Sequence, residues 1–187
     1  FFPGQMNREG QLQRFKNLGI VDAVFVEMAK AQPLVDPSNA SEPIELRARS
    51  WLHSNCAHCH KVSGGSGLTA QMNAAVPTDK LELVGYPPSR GYFGLEGASQ
   101  IDPGNPYRSI LYYRVATKGA GHMPMVGTKT LDQEGVQLVH DWIRSLNPES
   151  QIPESTLAPK SVEEALALYH EIQSGALSPE DQKRAIA

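Results

Sequence analysis

The sequence predicts an all-α fold. Apolar residues recur at helical spacing in one stretch after another: Val21, Val24, Phe25, Met28 and Ala29, then Ile44, Ala48, Trp51 and Leu52, then Leu131, Gly135, Leu138, Val139, Trp142, Ile143 and Leu146. That spacing is the mark of an amphipathic helix. Clusters of proline, glycine and serine separate these stretches and end each helix before the next begins. Only residues 81–85 read as a short strand.

Taken in order, residues 1–43 form an N-terminal extension. Residues 1–10 are a loose lead-in. Leu12, Phe15 and Leu18, and after Gly19 the set from Val21 to Ala29, predict two short helices packing on the main domain. Residues 31–43 hold three prolines with Ser, Asn and Asp and read as a linker. Ser41, Glu42 and Glu45 then favour the start of a new helix, which runs straight into Cys56.

Residues 44–146 make the main domain. Residues 86–94 are rich in turns and aromatics and form an irregular insertion. Asn105 as cap and Pro106 at the first helical position open a largely buried helix to about residue 117. Thr130 and Gln133 have the spacing of a capping box. Gly135 costs a helix about 1 kcal/mol against alanine, so its place on an apolar face predicts a close crossing with the helix of Trp51 and Leu52. Residues 147–187 are a linker and a helical tail. Ser161 with Glu164 caps a helix whose stripe is Val162, Ala165, Leu166, Tyr169 and Ile172, ending at Gly175. Ser178 opens a last short helix, and the tail docks either on this domain or on a neighbour.

A length of 187 residues suits one domain with decorations, and 40% hydrophobic with 20% charged residues is ordinary for a globule. A net charge of −3 argues against nucleic acid, which asks for a basic surface. No apolar run approaches the roughly 18 residues of a membrane span. The chain starts at Phe1 without a charged region and an apolar region in succession, so no export signal is expected in it; the missing initial methionine reads as a trimmed or excised piece.

The chemistry is concentrated in Cys56-Ala57-His58-Cys59-His60. Two cysteines two residues apart with histidine directly after the second form the pattern of covalent haem attachment. One turn of chain presents both thiols to one porphyrin edge as thioethers and brings the His60 imidazole under the iron. A redox disulfide would want a strand before the motif. A zinc site completed by His58 or His60 would want a second ligand cluster, and none is visible. His58 is expected to face solvent. Residues 61–67 are too glycine-rich for regular structure. They follow a helix instead of opening one after a strand, so they read as a loop bent around a flat cofactor and not as a phosphate cradle.

The second chemical stretch is Gly121-His122-Met123-Pro124-Met125. A thioether is a soft, neutral ligand that favours reduced iron, and Met123, before proline in a glycine-flanked loop, is the leading candidate for the sixth ligand. Met125 and His122 compete, with Met72 behind them. Arg108 or Arg114 is expected to be free to meet a haem propionate.

With NCAHCH at 55–60, GHMPM at 121–125 and the helix 131–146 in that order, residues 44–146 resemble a bacterial single-haem c-type cytochrome domain of class I. The closest likeness is to cytochrome modules at the carboxyl end of large secreted bacterial proteins, where the loop usually reads Met-Pro-Pro in place of Met123-Pro124-Met125. The resemblance implies one haem c bound through Cys56 and Cys59, with His60 and Met123 as axial ligands. It implies a periplasmic or secreted address, since such haem is attached after export. It also implies electron transfer with a redox partner, such as a sugar or alcohol dehydrogenase domain. The alternative is a haem enzyme or a gas or redox sensor whose sixth position is open or labile.

Overall fold

The computed structural model describes residues 11–31, 34–62, 64, 70–95, 97–119, 121–126, 129–147, 149, 162–178 and 180. It is helical, with α1 (Gln11–Asn17), α2 (Ala23–Ala31), α3 (Ile44–Cys56), α4 (Ile110–Ala116), α5 (Gln133–Ser145) and α6 (Val162–Ser174), plus short 3-10 turns at Thr78–Lys80 and Pro106–Arg108. Among the described residues no helix is long and apolar enough to cross a membrane. The expected strand at 81–85 is reduced to a single parallel bridge between Val84 and Ile101. Glu82 and Gly85 both take positive φ, and such a backbone cannot extend into a ladder.

The core lies where α3, α4 and α5 meet. Leu52, Ile110, Tyr112, Tyr113, Val139, Trp142 and Ile143 are all buried there. The crossing of α3 and α5 takes place at Gly135, where a Cβ would collide with the Trp51 indole. The missing side chain thus sets how closely the two helices approach. α5 begins two residues later than Thr130 would place it. Its cap is Asp132, whose side chain accepts from the Gly135 N–H at 3.0 Å, because a carboxylate can serve that amide and the Trp51 N–H together.

The helix expected from Pro106 to residue 117 is interrupted. Asn105 caps the 3-10 turn by accepting from the Tyr107 and Arg108 amides. Ser109 is then extended at φ −98 and ψ 115, where it bridges Ser99 and its hydroxyl donates to the Asn105 carbonyl at 2.8 Å. α4 restarts after it and is buried on nearly every side.

The linker before α3 is held down. Leu34 is buried, the Val35 N–H donates to Ser50 Oγ at 3.0 Å, and Arg47 Nε donates to the Pro37 carbonyl at 2.7 Å. α1 and α2 pack on each other, yet Leu18 and Val24 are exposed. Among the described residues neither helix contributes to the core cluster, although Val26 of α2 is buried. α6 does join the core through Ala165, Leu168, Tyr169 and Ile172. The tail therefore docks on this domain. Its expected cap Ser161, most of the linker before it, and the last short helix after Ser178 lie outside the described residues.

Candidate functional site

One stripe of α3 builds the near side of the site. Glu45, Arg49, His53 and Cys56 recur at intervals of four, four and three, which stacks them on one helical face. Arg49, though charged, is buried. It donates to Thr78 Oγ1 at 2.7 Å and to the carbonyls of Asn73 and Val76. His53 Nδ1 accepts from the Ala74 N–H at 3.2 Å. The loop 73–78 is thereby fastened to the helix. Burial lowers both the Arg49 and the His53 pKa from their ordinary values.

Cys56 is the last residue of α3, and the chain winds one further turn around its carbonyl, which accepts from the amides of Cys59 at 3.1 Å and His60 at 2.8 Å. That turn leaves Cys56 buried and Cys59 exposed, with His60 half-buried and His58 facing solvent. Burial, reinforced by the Cys59 thiol, pushes the Cys56 thiol up to about 12. A thiol so protonated at neutral pH is a poor partner for disulfide exchange. The segment leading into the motif is a helix, not the strand of a disulfide oxidoreductase. Among the described residues no group of three or more His, Cys, Asp or Glu side chains is placed to hold a metal ion, so the zinc alternative finds no ligand set there.

His60 is fixed from below. Its carbonyl accepts from the Met72 N–H at 2.9 Å, which ties the motif to the loop that Arg49 holds. Burial lowers the imidazole pKa, the Arg114 charge acts in the same direction, the Ala70 backbone raises it and His58 lowers it. Among the described residues Nδ1 is buried without a hydrogen-bond partner. Such an atom is out of place in an ordinary core. Gly64 returns over the motif so tightly that a Cβ would strike the Cys59 carbonyl.

The methionine loop hangs from α4. The Arg114 carbonyl accepts from the Met123 N–H at 2.9 Å and lies 3.1 Å from His122 Nδ1. The Arg114 guanidinium donates to the Gly121 carbonyl at 3.0 Å and stands 4.6 Å over the Phe93 ring. Phe93 stacks on Tyr113 at 4.7 Å and fills the place where a Gly121 side chain would be, since a Cβ there would lie 2.7 Å from the ring. The Met123-Pro124 peptide is cis. Met123 is half-buried, Met125 is 78% exposed, and Met72 is core filler.

Of the two arginines expected to be free for a propionate, Arg108 is engaged elsewhere, in an ion pair with Asp102 at 3.3 Å and a bond to the Gly97 carbonyl at 2.9 Å. Arg114 has no carboxylate partner among the described residues. The segments that hold its guanidinium, 86–95 and 121–126, contribute Arg90 and no Asp or Glu. Sequence reasoning missed Arg49 and Phe93. Arg49 left one signal, a charge set among the apolar positions of α3; Phe93 lies in the aromatic stretch 86–94 that reads as an insertion over the haem edge, but nothing local marked its contact with Gly121.

The residues present fit a covalently held haem. Two thiols stand one turn apart, an imidazole beside them has an orphaned buried nitrogen, and a half-buried thioether lies on a loop fastened to an arginine whose charge reaches that imidazole. No family model, curated protein or solved structure matches the chain.

Proposed function

We propose that the protein is a c-type cytochrome domain that relays single electrons. In this reading haem c is held by thioether bonds at Cys56 and Cys59, with His60 and Met123 as axial ligands, in a class I-like helical arrangement. Bound there, the haem supplies a one-electron ferric/ferrous couple. The protein's part is to hold two ligands still and to limit water. Met72 and the Arg49-anchored loop keep His60 in register. Arg114 keeps Met123 in register. Phe93, stacked on Tyr113, backs the methionine loop with an apolar wall.

The observation that carries this reading is the single turn after α3, which offers Cys56, Cys59 and His60 together and leaves the His60 ring with a buried nitrogen that has no partner among the described residues. Met123, fastened by its amide to the Arg114 carbonyl, would fill the sixth position, which favours electron transfer over substrate or gas binding. The 78% exposure of Met125 favours Met123 as that ligand. The periplasmic or secreted address and a redox partner such as a sugar or alcohol dehydrogenase domain belong to the same proposal.

The test is the protein produced with a haem-attachment system. A red product whose reduced spectrum is low-spin, and whose pigment stays with the polypeptide in acidified acetone, is the expected result. Colourless protein, or pigment that leaves with the solvent, would overturn it.

A further inference from the structure

We propose that Arg114 is the positioning residue of this site. It holds the Met123 loop against the fold, and it supplies the fixed cation that favours the reduced iron. The inference rests on the haem reading above and deepens it.

Three separate attachments converge on this residue. Its carbonyl takes the Met123 amide at 2.9 Å. Its guanidinium takes the Gly121 carbonyl at 3.0 Å. Its planar face lies on Phe93, 4.6 Å from the ring centre, and Phe93 in turn occupies the space beside Gly121. A planar guanidinium can donate at its edge and stack on its face at once, which an ammonium cannot do. The loop is thus held by the side chain as well as by the main chain.

The charge is the second half of the argument. Burial lowers the Arg114 pKa, Tyr113 raises it and Arg90 lowers it again; among the described residues no carboxylate stands against it. A half-buried cation without a counter-ion wants an anion, and a haem periphery carries two carboxylates. A cation fixed to the loop that carries Met123 would oppose ferric charge and favour the added electron.

The experiment compares wild-type holoprotein with R114K, R114Q and R114M. Two readouts are used: the equilibrium midpoint, and the rate at which added imidazole captures the sixth position of the ferric protein. R114Q and R114M are expected to shift the redox equilibrium about tenfold toward the ferric form, ~59 mV for one electron, and to speed imidazole capture several-fold. R114K should recover most of the midpoint while capture stays fast, which separates charge from loop attachment. An unchanged midpoint together with unchanged capture in R114M would overturn the proposal. If R114Q and R114M yield no holoprotein, R114K decides alone, and wild-type capture in it refutes the role in loop attachment. A wild-type product without covalent haem sinks the parent reading before any variant is compared.

Discussion

Trp51 Nε1 donates to Asp132 Oδ2 at 2.7 Å, across the crossing of α3 and α5. The same carboxylate caps α5 through the Gly135 amide, so one residue starts a helix and locks it onto another. Asp132→Ala removes both bonds. The expected loss is about 2 kcal/mol, within the range for a helix cap and a charge-assisted bond, and urea denaturation would measure it. A loss under a quarter of that would show the crossing to be held by packing alone.

Gly135→Ala ought to stabilise an ordinary helix by roughly 1 kcal/mol. Here it is expected to destabilise the protein by about 2 kcal/mol, as overpacking does, because its Cβ meets the Trp51 indole. Thermal melts of the single variant and of Gly135→Ala with Trp51→Phe check this, with the smaller ring recovering part of the loss.

This crossing was legible in the chain itself, since a glycine inside an apolar stripe has few other uses. The turn opened by Asn105 and Pro106 was legible for the same reason, as local chemistry. The break at Ser109 was not, because its cause is a pairing with Ser99, ten residues back. At the site, Cys56, Cys59, His60 and the Met123 loop are read from contiguous motifs. Arg49 and Phe93 act through partners 24 to 29 and 28 residues away, and no local pattern encodes such contacts. The N-terminal pair showed helical spacing correctly, but spacing does not say what a face will touch, and Leu18 and Val24 touch little.

For the sixth ligand, Met123→Ala in the holoprotein is expected to abolish the weak near-infrared sulfur-to-iron band of the oxidised form, whereas Met125→Ala leaves it intact. Retention of the band in Met123→Ala and its loss in Met125→Ala would transfer the role to Met125.

Arg49→Met leaves the carbonyls of Asn73 and Val76 without their donor. Unmaking buried bonds of this kind costs about 3 kcal/mol in all. The exposed end of its 3.9 Å contact with Glu45 adds little. Chemical denaturation measures the loss, and proteolysis within 73–78 should accelerate in step with it.

Tyr112 and Tyr169 bury hydroxyls that have no hydrogen-bond partner among the described residues. Burial raises both pKa values, with neighbouring tyrosines adding to the effect. The unfolded chain releases these protons near the ordinary value of 10.0 while the folded chain keeps them. Folding stability is thus fully present below pH 10 and falls as pH rises above it. Tyr169→Phe is expected to be neutral or stabilising by up to about 1 kcal/mol at pH 7 and to flatten the alkaline decline. Melting curves between pH 7 and 11 decide it; a steep destabilisation at pH 7 would mean that the hydroxyl has a partner after all.

Tyr169 sits edge-on to Tyr113 at 5.0 Å, Tyr113 carries Phe93, and Phe93 carries the guanidinium that grips Gly121. α6 is therefore in mechanical series with the methionine, a buttress set behind the wall on which that loop is mounted. Loosening the tail would slacken the wall behind the Met123 loop without touching Cys56, Cys59 or His60, and a cut in the linker before it would register first as a softer grip on that loop.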